Sequence, residues 1–104
     1  MANTFGADIL IQSPDPRAAA AFYVNHLGFT ITSQEPMLGL SGPHINLYIE
    51  QGPALGPVLE VTVANVEEAT TRLLAQGCTV VKDEPGFPRR YIQDPNGLIY
   101  NLTT

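Results

Sequence analysis

Alternation of apolar and polar residues is the first signal along the chain. In Ala7–Ser13 the pair Ile9/Ile11 can point one way while Asp8, Leu10 and Gln12 point the other, as in a strand with one face packed. The same two-residue period runs through His44–Glu50, with Ile45, Leu47 and Ile49 as the packed set. It recurs in Val58–Val63 with Leu59, Val61 and Val63, and near the end with Tyr100 and Leu102. Two stretches switch to a helical period. Residues 16–27 carry Ala19, Phe22, Tyr23 and Leu27 as the expected stripe, and residues 66–76 carry Val66, Ala69, Leu73 and Leu74.

Local chemistry fixes where these elements start and stop. Asp15 and Asn65 precede the helical stretches and can accept from free amides of the first turn, while Pro16 suits the first helical position. Gly28 and Gly77 follow the helices and tolerate the left-handed conformation that ends them. Glu67 and Glu68 favour the second helix start. Pro36 and Gly42-Pro43 separate three short strands, Phe29–Ser33, Met37–Leu40 and His44–Glu50, and Gln51–Pro57 reads as a Gly/Pro-rich connector. Asp94-Pro95-Asn96-Gly97 is a turn that joins Tyr91–Gln93 to Leu98–Leu102 in a hairpin. The halves share one plan, β-α-β-β-β. Asp8 aligns with Val58 and Asp15 with Asn65, and Ile45-Asn46-Leu47 is similar to Tyr100-Asn101-Leu102.

Composition narrows the class. A chain of 104 residues is one domain, residues 1–104, with module one over about 7–50 and module two over about 58–104. Only 14% of residues are charged and the formal net charge is −5, with five Lys and Arg in all. Nucleic acid is therefore not an expected partner, because phosphate neutralisation needs clustered cations. The Arg89-Arg90 pair is too short a basic run to change that. No export signal or membrane segment is visible, so a soluble cytoplasmic protein is expected. The low charge density points to an interface with a second copy. The single cysteine, Cys78, reads as a small buried hydrophobe rather than a nucleophile.

The runs Asp15-Pro16-Arg17-Ala18, Phe22-Tyr23, Leu27-Gly28-Phe29, Asp94-Pro95-Asn96-Gly97 and Ile99-Tyr100-Asn101-Leu102 resemble the glyoxalase / bleomycin-resistance / extradiol-dioxygenase superfamily, the vicinal oxygen chelate proteins. The resemblance implies an α+β fold of two βαβββ modules forming a concave, cup-shaped mixed sheet with helices outside, commonly a homodimer. The superfamily holds lyases, isomerases, dioxygenases, thiol transferases and drug-binding proteins, so it implies a fold more firmly than an activity.

In its metalloenzymes the ligands stand at positions that match Asp8, Asn46, Val58 and Asn101 here. Valine has no lone pair and asparagine is a weak neutral donor, so no metal and no other cofactor are expected. A displaced set using Asp8, Glu60, His44 or Glu50 lacks any ligand spacing. The expected ligand-binding residues are Asp8, Leu10, His44, Asn46, Tyr48, Val58, Glu60, Tyr91 and Asn101; no catalytic residue is assigned. Tyr48, Tyr91 and Phe87 are candidates for an aromatic wall, with core packing as the plainer role. The functional expectation is a metal-independent small-molecule binding protein close to the bleomycin-resistance branch. It would sequester an organic ligand of aromatic and cationic character and so confer antibiotic resistance. The alternative is a lyase, isomerase or dioxygenase-type enzyme of the same fold, with atypical or no metal ligation.

Overall fold

The computed structural model describes residues 4–35, 37–83 and 90–104. Among the described residues there are eight strands and two helices, and they divide into two compact units. One unit is Ala7–Pro57; the other is, among the described residues, Thr4–Gly6 with the residues from Val58 to Thr104. The fold is α+β.

In the first unit β1 (Thr4–Ser13, which enters this unit at Ala7), α1 (Pro16–Leu27), β2 (Thr30–Ser33), β3 (Leu38–Ser41) and β4 (Asn46–Gln51) follow one another. The strands lie in the order β2-β3-β4-β1, with β1 parallel to β4 and the other pairs antiparallel. Parallel β1 and β4 need a crossover, and α1 begins it. Asp15 starts α1 by accepting from Ala18 N (3.2 Å), and Gly28, with φ 79°, ends it. Ala20, Leu40, Leu47 and Ile49 form the buried centre between helix and sheet, with Ile9, Ile11, Ala19, Tyr23, Val24 and Leu38 around them.

The helix stripe differs from the expected one. Phe22 and Leu27 are 54% and 59% exposed, whereas Ala20 and Val24 face the sheet. A period of 3.6 allows adjacent stripes, and here the smaller side chains took the close approach. Phe22 instead packs on the outer surface of α1 against His26, with ring centroids 5.1 Å apart.

The second unit repeats the plan with β5 (Leu55–Thr62), α2 (Val66–Ala75), β6 (Thr79–Asp83), β7 (Arg90–Gln93) and β8 (Ile99–Thr103). From Val58 onward β5 pairs in parallel with β8, which pairs antiparallel with β7, and β7 with β6. Asn65 caps α2 by accepting from Glu68 N (2.8 Å). Val61, Val63, Ala69, Cys78, Ile92, Tyr100 and Leu102 form this unit's core, and Cys78 is buried as expected. Leu74 lies outside it and is exposed, while Thr70 is buried in the adjacent turn, its hydroxyl donating to Val66 O (2.7 Å).

Several expected boundaries shift by one to three residues. Gln51 is the last residue of β4 and Leu55–Pro57 open β5, so the expected connector shrinks to residues 52–54. β4 begins at Asn46, leaving His44 and Ile45 exposed in the bend before it. Leu98 belongs to the turn rather than to β8. That turn forms as its residues dictate: Gly97 N donates to Asp94 O (3.0 Å), and Asp94 Oδ1 accepts from Asn96 N (2.9 Å) and Leu98 N (3.0 Å). Gly97 sits at φ 97°, a conformation that costs any residue with a Cβ.

Candidate functional site

In each unit the sheet has a second face, turned away from the helix, and the candidate residues stand there. Because Ile9, Ile11, Leu47 and Ile49 pack under α1, the pleat sends Asp8, Leu10, Asn46 and Tyr48 to the other side. The β1–β4 register places Asp8 beside Asn46 and Leu10 beside Tyr48. Asn46 Nδ2 donates to Asp8 Oδ1 (3.0 Å), which leaves the second carboxylate oxygen and the Asn46 carbonyl for other partners. The Tyr48 ring lies over Gly39 of β3; a Cβ there would stand 3.1 Å from Tyr48 Cε1. This glycine therefore seats the tyrosine. His44, in its bend, is outside the strand register that would have aimed it onto this face.

In the second unit Val58, Glu60, Ile99, Asn101 and Tyr91 stand opposite the helix side. Glu60 is beside Asn101, which is beside Tyr91, which pairs with Lys82. Asn101 Oδ1 accepts from Arg90 N (3.3 Å). Glu60 Oε1 lies over Gly6, where a Cβ would come within 3.0 Å of it. Val58 and Tyr91 are 1% and 0% exposed, and the Lys82 ammonium is 5.5 Å from the centre of the Tyr91 ring. They form the packed part of this face, whereas Glu60, Ile99 and Asn101 are half-buried and reachable. Phe87 and Arg89, also considered from the sequence, lie outside the described residues.

The register corrects one equivalence. Asp8 faces Asn46, but Val58 faces Ile99, and Asn101 faces Glu60. Asn46 therefore corresponds to Ile99, and Asn101 to Tyr48. A two-residue slip preserves the alternation of faces, so the sequence pattern could not reveal it.

Arg90 anchors the helix side of the second unit. Its guanidinium reaches Glu67 Oε1 at 3.0 Å and Asp83 Oδ2 at 3.3 Å and donates to Thr70 Oγ1 at 3.3 Å. The hydrogen bond to Glu67 is the main cause that raises its pKa above the ordinary arginine value, against the opposing effect of burial. Its backbone amide at the same time holds Asn101.

A further cavity lies in the first unit, between α1 and the β2–β3 strands. Its volume is about 850 Å³, and Ala20, Ala21, Val24, Ile31, Leu38 and Ile49 supply its apolar walls. Nothing in the strand alternation announces it. The one hint in the sequence is the run Ala18–Ala21, whose short side chains leave room beside the sheet.

The family model of the Glyoxalase/Bleomycin resistance protein/Dioxygenase superfamily matches residues 7–101. The chain belongs to that superfamily. Solved structures agree on the fold. A hypothetical protein of Bacillus halodurans C-125 aligns with a TM-score of 0.61 at 14% identity, covering 98% of this chain and 94% of that one. A superfamily member from Vibrio splendidus 12B01 gives 0.58 at 18% identity, covering 95% and 97%. Homoprotocatechuate 2,3-dioxygenase from Brevibacterium fuscum, as its H200Q variant, gives 0.61 at 23% identity, covering 96% of this chain and 32% of that one. No curated protein matches the sequence significantly.

Superfamily metalloenzymes raise the question of a metal. At the corresponding positions the Val58 side chain offers no donor atom, Asn46 and Asn101 offer only neutral amide oxygens, that of Asn101 already accepting from a backbone amide, and Asp8 is the one carboxylate. Among the described residues no three His, Cys, Asp or Glu side chains converge. These residues do not fit a catalytic metal, which needs about three protein donors around open positions. No helix among the described residues is long and apolar enough to cross a membrane.

Proposed function

We propose that this superfamily member is a cytoplasmic small-molecule binding protein that holds an organic ligand without a metal and without turning it over. Sequestration of a toxic aromatic cation is the role that fits such binding. The observation that carries this reading is the donor set: one carboxylate, one valine and two asparagines, with an oxygen of each asparagine-linked pair already engaged. Such groups recognise a ligand by charge and hydrogen bonding rather than through a Lewis acid.

The contacts follow from accessibility. On the first unit Leu10 and the Tyr48 ring supply apolar surface, and Asp8 with Asn46 supplies charge and amide donors. On the second unit Glu60 and Asn101 supply the same pair of groups beside Ile99. Carboxylates in partly buried positions favour a cation more strongly than they would in open water.

Two measurements test the reading. Elemental analysis of the purified protein is expected to find no stoichiometric zinc, nickel, manganese or iron; a retained metal that is lost in Asp8→Ala overturns it. Calorimetry with a panel of cationic aromatic compounds and neutral analogues is expected to show binding that weakens at least about tenfold in Asp8→Asn, or in Asn101→Leu. Binding indifferent to both substitutions removes these faces from the proposal. Conversion of a bound compound supports instead an enzyme of the same fold, with Glu60 beside Asn101 as the acid/base candidate.

A further inference from the structure

Asparagine carries both donors and an acceptor, so residue type alone does not say which of them it presents. On the open face of the first unit the contact with Asp8 decides this for Asn46. A carboxylate only accepts, so the Asn46 amide has to turn its nitrogen toward Asp8, and Nδ2 lies 3.0 Å from Oδ1. One N–H is spent there. The pair keeps the second carboxylate oxygen, the Asn46 carbonyl oxygen and one amide N–H, an excess of acceptors over donors. Asn46 is neutral, and no ion pair among the described residues involves Asp8, so the pair retains the charge of the carboxylate.

The strand register extends this row. Ser41 of β3 stands beside Asn46, and Thr30 of β2 beside Ser41. The Ser41 hydroxyl donates to Gly42 O (3.5 Å), which spends its proton and leaves its oxygen as a further acceptor. The neighbouring row on the same face is Leu10, Tyr48 and Gly39. Rows two residues apart along a strand are separated by about 7 Å. A ring laid against Leu10 and Tyr48 therefore carries a head group on a short alkyl arm to the acceptor row.

Two kinds of organic cation fare differently on such a surface. A quaternary ammonium is held best by several aromatic faces around it, and among the described residues of this face Tyr48 is the only aromatic. Its methyl groups would also take water from the half-buried Asp8 and Asn46 oxygens without replacing the hydrogen bonds, which costs affinity. A primary ammonium brings N–H donors to the same oxygens. We propose that the Asp8–Asn46 pair selects its ligand by these donors: the bound compound is an aryl-alkyl amine in its protonated form, with N–H bonds on the cationic head group, and not a quaternary ammonium. The proposal rests on the binding role given above to this face and adds the chemical class of the head group.

Phenethylammonium and its N,N-dimethyl and N,N,N-trimethyl derivatives share one ring and one charge and differ in the N–H bonds they carry, so they serve as calorimetric probes. The wild type is expected to bind the primary compound at least about tenfold more tightly than the trimethyl one, with the dimethyl compound between them. Asn46→Val removes the amide while suiting a strand, and is expected to shrink that ratio to within about threefold, with unchanged circular dichroism. Equal affinity of the wild type for the three compounds overturns the proposal and leaves the face standing as a cation site. Absence of binding by all three overturns both. A preference for the primary compound that persists undiminished in Asn46→Val also overturns the proposal, since another group then reads the N–H bonds.

Discussion

Tyr100 and Cys78 meet in the core of the second unit, the hydroxyl 3.6 Å from Sγ. Burial, and then the contact with Cys78, pushes the Tyr100 pKa well above the ordinary tyrosine value. The folded protein therefore keeps this proton at pH values where the unfolded chain releases it. The resulting stability is complete below about pH 10, the unfolded value, and is lost as pH rises from there toward the higher folded pKa. Urea midpoints measured from pH 8 to 11 are expected to fall more steeply in wild type than in Tyr100→Phe; equal slopes would show that Tyr100 does not carry this dependence. At this scale burial of Cys78 was legible, since a lone thiol after a helix-ending glycine, with no base beside it in sequence, packs as a hydrophobe. The seating of Tyr48 on Gly39 was not legible, because two residues nine positions apart meet only through the β3–β4 register.

Turns and caps were the most legible elements, because the groups that satisfy them are neighbours in sequence. Asp94 accepts two backbone amides through one oxygen and so holds the β7–β8 hairpin closed. Asp94→Ala is expected to lower stability by about 1–2 kcal/mol, read from urea unfolding, since exposed amides regain water when the bonds are lost. A loss under a few tenths of a kcal/mol would show that Pro95 and Gly97 suffice. Helix faces were less legible. Alanine and phenylalanine are both apolar, and only contact with β3 and β4 decided that Ala20 faces the sheet while Phe22 faces outward.

For the molecule as a whole, the low charge content and the exposed apolar side chains of α1 lead to an expected homodimer. The edge strands are poor docking rims: β2 ends the strand order of its unit and β6 that of the other, and each carries a register irregularity against its neighbour. Bulged edges resist pairing with another sheet. Phe22 and Leu27 on the outer surface of α1 are the better contact. Sedimentation at micromolar concentration is expected to give a dimer that Phe22→Ser with Leu27→Ser converts to monomer. A monomeric wild type would overturn the expectation, and a dimer that survives both substitutions would move the interface elsewhere.

The order of elements, their caps, the closing hairpin and the two-fold repeat of the βαβββ plan were determined by the sequence, since each rests on interactions within a few residues or on a period. The absence of donor atoms at Val58, and the weakness of those at Asn46 and Asn101, were likewise fixed by residue type. Tertiary structure alone decided the register, and with it that Glu60 rather than Val58 stands beside Asn101. It also decided that Tyr91 is packed away and that a cleft opens beside the alanine run of α1. The reason is common to all three. Alternation tells which side of a strand a residue faces, but it is unchanged by a slip of two and blind to how closely a neighbouring element approaches.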